Sequence, residues 1–450
     1  MGDASNPDSV AMDSVTASSQ EQEEALLLSI DQSHETPLQS PRNHANDVHI
    51  LSFAFLLIFL AYGAAQNLES TVNNEEDLGT TSMGILYLSF TIFSLVASPV
   101  VQKLGSKNSL VLGTTGYWLF IAANLIPSWY TMVPASVYLG FSASIIWVGQ
   151  GTYLTASARS HARQCSLHEG TVIGKFNGEF WGMFASTQVI GNLISLALLR
   201  NGKEGTDFTG KTLLFVVFLG SMTLGTILMC FLGKKDTTGG SSIKYTSFGD
   251  LMKLIVSPMI DKRMLLLIPL LAYSGLQQAF VWDEFTKDVV TPALGISGVG
   301  GSMAIYGACD AICSLVVGRF TFGLNSISLI VSGGAFLQIL VLLWLLLRYS
   351  LTEVLGVVYP LLMAAIWGVG NGVFNTQLNA TLGMLFRENT EAAFAQLKVW
   401  QSGATAVIFF LSPFVTFHAI SVLMIVALCI SVASFLFLSV KVEKAFAYAL

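Results

Sequence analysis

The stretch Trp367–Gly383, WGVGNGVFNTQLNATLG, places several amides inside an otherwise apolar segment. Asn371, Asn375 and Asn379 follow one another at steps of four, so they share one face of a helix. An amide in contact with hydrocarbon costs free energy because it loses its hydrogen bonds with water. The stripe therefore predicts a helix that faces other helices, or a space filled with water or ligand.

A related pattern lies much earlier in the chain, in Trp147–Thr155, WVGQGTYLT. There Gly149-Gln150-Gly151 corresponds to Gly370-Asn371-Gly372 of the later stretch. The match predicts an internal repeat of the fold, because two glycines flank one amide in both places.

The composition is that of an integral membrane protein. Hydrophobic residues make up 53% of the chain and charged residues 11%, whereas a soluble domain is usually about 25% charged. The acidic residues concentrate in the N-terminal tail and in short loops, so we expect no binding of nucleic acid. Neither a phosphate-binding glycine loop nor a His-Glu-x-x-His motif occurs in the sequence, so we expect no enzyme, no cofactor and no metal site.

Residues 1–46 are rich in Ser, Asp, Glu, Gln and Asn, a composition that predicts a disordered tail. Within it, Glu23 lies four residues before the pair Leu27-Leu28. This spacing resembles an acidic dileucine sorting signal, which adaptor proteins bind in the cytosol. The alternative is a few leucines without a role in a flexible tail. A sorting signal favours an endosomal or vacuolar membrane, and the plasma membrane is the alternative.

Apolar runs of roughly 20 residues recur from Val48 onward, and each is long enough to cross a bilayer. The runs predict an all-α protein with twelve transmembrane helices in contact with the lipid bilayer. The predicted spans are 48–70, 80–102, 109–127, 132–156, 172–198, 211–232, 262–285, 297–318, 325–347, 354–382, 392–416 and 419–440.

Lys and Arg are much more frequent in the loops that would lie on the same side as both termini. The positive-inside rule then predicts that the N- and C-termini are cytosolic. The longest internal loop separates six spans from six. The predicted organisation is a disordered cytosolic tail over 1–46, a six-helix half over 47–233, a cytosolic loop over 234–260, a second six-helix half over 261–440 and a cytosolic tail over 441–450.

Equivalent spans of the two halves carry matching motifs at a nearly constant offset of about 220 residues. The matches pair Ile92–Val96 with Ile312–Val316, Gly149–Gly151 with Gly370–Gly372, and Glu179–Trp181 with Lys398–Trp400. Two six-span halves arranged as parallel repeats are the architecture of the major facilitator superfamily. The resemblance to that superfamily implies that spans 1, 4, 7 and 10 line a central cavity. The amides of these four spans are the predicted cavity residues: Gln66, Asn67, Gln150, Gln277, Gln278, Asn371, Asn375 and Gln377.

The details also resemble one branch of the superfamily, the uncoordinated-93-like (Unc-93) family, including its plant members. The resemblance rests on Trp147–Thr155 in span four, Gly370–Gln377 in span ten, and Ala392–Ala395 followed by Lys398 in span eleven. It covers about residues 45–440. It implies a role in ion homeostasis, especially of potassium, and in regulating or escorting other membrane proteins.

Ionisable residues inside a bilayer are costly and are therefore candidates for function. Lys175 and Glu179 lie one turn apart on span five, Asp310 lies on span eight and Lys398 on span eleven. Spans five and eight meet between the halves in the superfamily. We therefore predict that these four residues form a proton- or cation-coupled gate. An ion-paired latch, or side chains that reach the headgroups, are the alternatives.

Gly174, Gly178 and Gly182 repeat at four-residue spacing on span five. They form one small-residue face of the helix, which predicts close packing against another helix.

Two hypotheses for function follow from these patterns. The first is a transporter-like protein that moves, or regulates the movement of, a small cation of the potassium type or a polar solute by alternating access. The second is a non-transporting regulatory subunit or trafficking escort of another membrane protein, such as an ion channel.

Overall fold

The computed structural model describes residues 44–72, 78–200, 207–234, 259–348, 356, 358–412 and 414–447. Most of the predicted N-terminal tail, including Glu23, Leu27 and Leu28, lies outside the described residues. Most of the predicted central loop lies outside them too.

Twelve long helices account for most of the described residues, and each corresponds to one predicted span. They are α1 (His44–Val72), α2 (Leu78–Leu104), α3 (Ser106–Ala123), α4 (Trp129–Gln164), α5 (Glu169–Arg200), α6 (Asp207–Cys230), α7 (Lys262–Phe280), α8 (Ile296–Arg319), α9 (Leu324–Arg348), α10 (Val358–Leu385), α11 (Thr390–Leu411) and α12 (Phe417–Ala447). The predicted boundary of the C-terminal tail falls inside α12, because that helix continues to Ala447.

Eight of these helices are long and apolar enough to cross a membrane by length and composition alone. The other four are α3, α5, α10 and α11, and they belong to the same bundle. The twelve predicted transmembrane helices are confirmed as elements of an all-α fold.

Helix α7 does not end at Phe280. It continues as a π-helical segment, Val281–Val290, and a last turn, Thr291–Leu294. A π-helix widens the backbone spiral and is frequent at functional sites. Here it begins three residues after Gln278 and contains Trp282, and both residues line the central cavity described below.

The helices pack in a pattern that repeats with the duplication. We call α1–α6 the first half and α7–α12 the second half. Helix α5 packs against α8, and α11 packs against α2. Replacing each helix of the first pair by its counterpart in the other half, α5 by α11 and α8 by α2, gives the second pair, as expected for two parallel repeats. We call the side on which α1 begins and α12 ends the terminal side, and the other the opposite side.

Glycines allow α5 and α8 to approach at backbone distance. A Cβ atom on Gly178 would lie 2.6 Å from the carbonyl oxygen of Ser314 and 2.7 Å from Cα of Gly318. A Cβ on Gly182 would lie 2.7 Å from the Leu315 side chain. The close packing predicted for this glycine face is confirmed, and it joins the first half to the second.

A larger residue in this contact should destabilise the protein. We expect Gly178→Ala to lower the free energy of unfolding by about 1–3 kcal/mol, because the added methyl group overpacks a backbone contact. Thermal unfolding of the purified protein in detergent measures the change. Gly220→Ala is the matched control, since a Cβ there meets no atom within 4 Å. Equal stability of the two variants would contradict the packing.

Candidate functional site

A cavity of about 130 Å³ lies between the two halves. Its wall is rich in aromatic rings and carries a small set of polar groups, including one acidic and one basic side chain. The polar and charged residues on the wall, tyrosines aside, are Gln66, Thr187, Gln188, Gln278, Asp310, Asn371, Asn375, Lys398, Gln401, Ser402 and Thr405.

The acidic group on this wall is Asp310 of α8, which is 6% exposed. Its Oδ2 accepts a hydrogen bond of 2.6 Å from Nδ2 of Asn371, and its Oδ1 accepts one of 3.1 Å from Oγ of Ser314. The absence of a side chain on Gly372 brings α10 close to α8, because a Cβ there would lie 2.8 Å from the Asp310 carbonyl oxygen. The glycine-flanked amide of α10 therefore meets the carboxylate of α8.

The basic group is Lys398 of α11, which is 5% exposed. Its Nζ donates to Oε1 of Gln401 at 2.9 Å. The same nitrogen lies 4.6 Å from the ring centroid of Trp147 and 6.0 Å from that of Trp181. Indole faces attract a cation through their quadrupole, more strongly when the site is desolvated. Lys398 of the second half is thus held against aromatic rings of the first half.

Aromatic side chains of the first half form the wall opposite Lys398. The indole rings of Trp147 and Trp181 stack with an interplanar angle of 7°. Trp147 donates from Nε1 to the Tyr117 hydroxyl at 3.1 Å, and Gln66 donates to the Tyr87 hydroxyl at 2.9 Å. These bonds orient the rings, so this wall is mostly apolar and presents hydroxyl groups in defined positions.

Four of the eight predicted cavity amides lie on the wall of this cavity: Gln66, Gln278, Asn371 and Asn375. For Asn67, the side chain lies outside the described part of the structure.

The other three predicted amides are buried elsewhere in the bundle. Gln377 of α10 is paired with Thr321 of α8, to which its Nε2 donates at 2.9 Å. Gln150 and Gln277 are at most 1% exposed, and their amide atoms have no hydrogen-bond partner among the described residues. The structure therefore differs from the prediction at these positions, because helix packing covers them and the cavity does not reach them.

The four predicted gate residues separate into two pairs. Asp310 and Lys398 line the cavity, and no ion pair joins them within the described structure. Lys175 is exposed on the surface of α5, and Glu179 pairs with Nδ1 of His49 on α1. The structure thus gives Glu179 a histidine partner inside the first half.

Sequence reasoning missed the aromatic part of the site and Gln401. Gln401 follows Lys398 by three residues, which places both side chains on the same helical face. This spacing was available from the sequence. The contact of Lys398 with Trp147 and Trp181 joins residues from distant segments, and no local pattern indicates it.

A network of arginines and one glutamate joins the two halves on the terminal side. Arg159 of α4 donates to the carbonyl oxygens of Gly383 at 2.6 Å and Arg387 at 3.2 Å. Its Nε donates to Glu169 at 3.1 Å, and Nη2 of Arg387 lies 3.1 Å from the other oxygen of Glu169. We call Arg159, Glu169 and Arg387 the terminal network, and it joins α4 and α5 of the first half to the end of α10 and the segment that follows it.

A further arginine on the same side acts within the second half alone. Arg263 at the start of α7 binds the carboxylate of Asp261, with 2.8 Å between Nη2 and Oδ2. These hydrogen bonds lower the pKa of Asp261. Arg263 also donates to the Leu385 carbonyl oxygen of α10 at 2.9 Å. It therefore resembles Arg159 in chemistry and position without joining the halves.

The sequence matches the family described as ion channel regulatory protein UNC-93 over residues 71–438. UNC93-like protein 3 of Arabidopsis thaliana is 62% identical over 415 residues, which cover 91% of this chain and 89% of that protein. Protein unc-93 homolog A of Homo sapiens is 32% identical over 407 residues, which cover 83% of this chain and 88% of that protein.

The fold is similar to that of FucP of E. coli, a major facilitator superfamily transporter solved in its outward conformation. The TM-score is 0.65 at 12% sequence identity, and the match covers 88% of this chain and 99% of that chain. At this sequence identity, the structural similarity shows a shared fold and nothing about function. The chain belongs to the UNC-93 family and has the fold of the major facilitator superfamily.

Proposed function

We propose that the protein is a transporter that carries a small polar solute, or a small monovalent cation of the potassium type, by alternating access. The main support is the central cavity, whose wall combines polar groups of both halves. Transporters of this architecture bind their solutes between the two repeats, and the halves rock around that site.

The hydrogen-bonded pair of Asp310 and Asn371 is the proposed binding element for the solute. A carboxylate has more acceptor positions than the two hydrogen bonds it receives here, so it retains capacity to bind a cationic or donating group. Asn371 fixes its orientation through a charge-assisted hydrogen bond. Asn375 and Gln401 supply further amide groups on the wall.

The terminal network is the proposed gate of this cycle. While Arg159 bonds the Gly383 and Arg387 carbonyl oxygens, the halves are held together on the terminal side, and solute would enter from the opposite side. Breaking these hydrogen bonds would let the halves separate there and release the solute. This assignment replaces the predicted gate of Lys175, Glu179, Asp310 and Lys398 with residues that bond across the halves.

The second candidate function is regulation of an ion channel by direct contact within the membrane. The description of the matching family as ion channel regulatory favours it. In that case the fold and the cavity are retained, and the outer helix faces bind the channel.

We propose that both termini are cytosolic and that the protein resides in an endosomal or vacuolar membrane. The distribution of Lys and Arg supports the orientation. Glu23, Leu27 and Leu28 support the location as an adaptor-binding signal.

Replacing Leu27 and Leu28 together with alanine should shift the protein from internal membranes to the cell surface, because the adaptor would lose its apolar contact. Fluorescence imaging of the tagged full chain measures the distribution. Leu26→Ala is the matched control in the same tail. An unchanged location of the double variant would exclude the signal.

Transport is tested by solute uptake into proteoliposomes that contain the purified full chain. We expect uptake of K⁺ or of a small polar solute, and Asn371→Leu should reduce it at least about tenfold, because the Asp310 carboxylate loses a charge-assisted hydrogen bond. Asn177→Leu is the matched control. Asn177 is also buried, lies off the cavity wall and donates to the Ile173 carbonyl oxygen of its own helix.

Two outcomes would contradict the transport proposal. One is unchanged uptake in the Asn371→Leu variant. The other is no uptake of any tested solute, together with a co-purified channel whose current changes when the protein is present. The second outcome would support the regulatory function.

A further inference from the structure

One cavity wall carries a buried carboxylate and a buried ammonium group that do not pair with each other. Asp310 and Lys398 are both at least nine-tenths buried, and no ion pair joins them among the described residues. A buried charge without a counter-charge is costly, and most are paired. Two opposite charges that line one cavity without pairing with each other are therefore each suited to bind a further group of opposite charge.

Neither charged group makes all the hydrogen bonds of which it is capable. The ammonium group of Lys398 has three donors, and one of them binds Gln401. The Trp147 and Trp181 faces attract the positive charge but accept no ordinary hydrogen bond. The carboxylate of Asp310 accepts one bond on each oxygen and has lone pairs left over.

The two charged side chains have different neighbours on the cavity wall. Lys398 lies against the aromatic wall of the first half, whereas Asp310 is anchored between α8 and α10 of the second half. Tyrosine hydroxyls are the only other titratable groups on the described wall. The formal charges of the wall, one negative and one positive, cancel.

The charge pattern decides between classes of solute. A simple cation bound to Asp310 shares the cavity with the positive charge of Lys398, and a simple anion bound to Lys398 shares it with the carboxylate of Asp310. Like charges in a low-dielectric site repel strongly. A molecule with one charge of each sign satisfies both side chains and leaves the cavity neutral.

We propose that the central cavity binds a small zwitterion of the amino-acid class, with its anionic group on Lys398 and its cationic group on Asp310. This inference rests on the proposed function, because it names the solute class of the same site and selects the polar solute over the monovalent cation. The cavity of about 130 Å³ is close in size to the roughly 150 Å³ cavity that admits benzene in another protein. β-Alanine has as many non-hydrogen atoms as benzene and serves as the probe.

Binding of three matched probes to the purified full chain in lipid nanodiscs tests the proposal. Propionate is β-alanine without its amino group, and ethylamine is β-alanine without its carboxylate. Isothermal calorimetry should show that β-alanine binds at least about tenfold more tightly than either fragment, because it makes one additional charge-assisted contact. If either fragment or KCl binds as tightly as β-alanine, the proposal is overturned.

Two near-isosteric variants test which charged group of β-alanine each side chain binds. Asp310→Asn should weaken β-alanine binding to about the affinity of propionate, and Lys398→Gln should weaken it to about the affinity of ethylamine. Glu179→Gln is the matched control, because Glu179 is a carboxylate of a membrane helix that pairs with His49 and lies off the cavity wall. If both cavity variants retain wild-type affinity, the assignment is overturned. The probe comparison on the unmodified chain decides the proposal even when a variant does not fold.

Measurements of uptake and of binding distinguish the zwitterion site from transport. Tight β-alanine binding without uptake by proteoliposomes supports the zwitterion site and contradicts transport. Uptake of K⁺ or of a neutral solute without β-alanine binding supports transport and contradicts the zwitterion site.

Discussion

The contact between α5 and α8 at Gly178 and Gly318 is the constraint on which the arrangement of the halves depends. In a bilayer the lipid tails are as apolar as leucine side chains, so helices associate through close packing and not through the hydrophobic effect. Glycine permits that packing because it has no side chain to hold the two backbones apart. The contact holds α8 at the boundary of the halves, and α8 carries Asp310 to the wall of the central cavity.

A second use of glycine explains why polar groups can occupy this boundary. Gly372 brings α10 against the backbone of Asp310, and the neighbouring Asn371 then reaches the carboxylate. The same principle holds at Gly275 of α7, where a Cβ would clash with the Gln401 carbonyl oxygen of α11. Close backbones position the amides of Asn371 and Gln401, each of which makes one hydrogen bond to a buried charged group. The same glycines therefore determine both the helix packing and the positions of the buried polar groups.

The sequence predicted the twelve helices and the superfamily fold, because apolar runs are local features and the repeat is visible when the chain is compared with itself. It did not predict which side chains form the wall of the central cavity. Gln377 was expected on the cavity wall with the other amides of span ten, yet its side chain bonds to Thr321 of α8. Glu179 was expected to approach Asp310, but His49 of α1 is its partner. The contact between Lys398 and Trp147 likewise depends on how distant helices cross, which no local pattern encodes.

Alternation between two arrangements of the halves is the central claim, and distances between spin labels test it most directly. One pair of labels replaces Leu167 and Phe322 on the terminal side, and the other replaces Tyr130 and Phe414 on the opposite side, all of which are exposed. Breaking the terminal network with Arg159→Ala should lengthen the terminal distance and shorten the opposite distance, whereas Arg263→Ala should change neither. If the opposite distance stays constant in the Arg159→Ala variant, the halves do not rock about the cavity, and the account is contradicted.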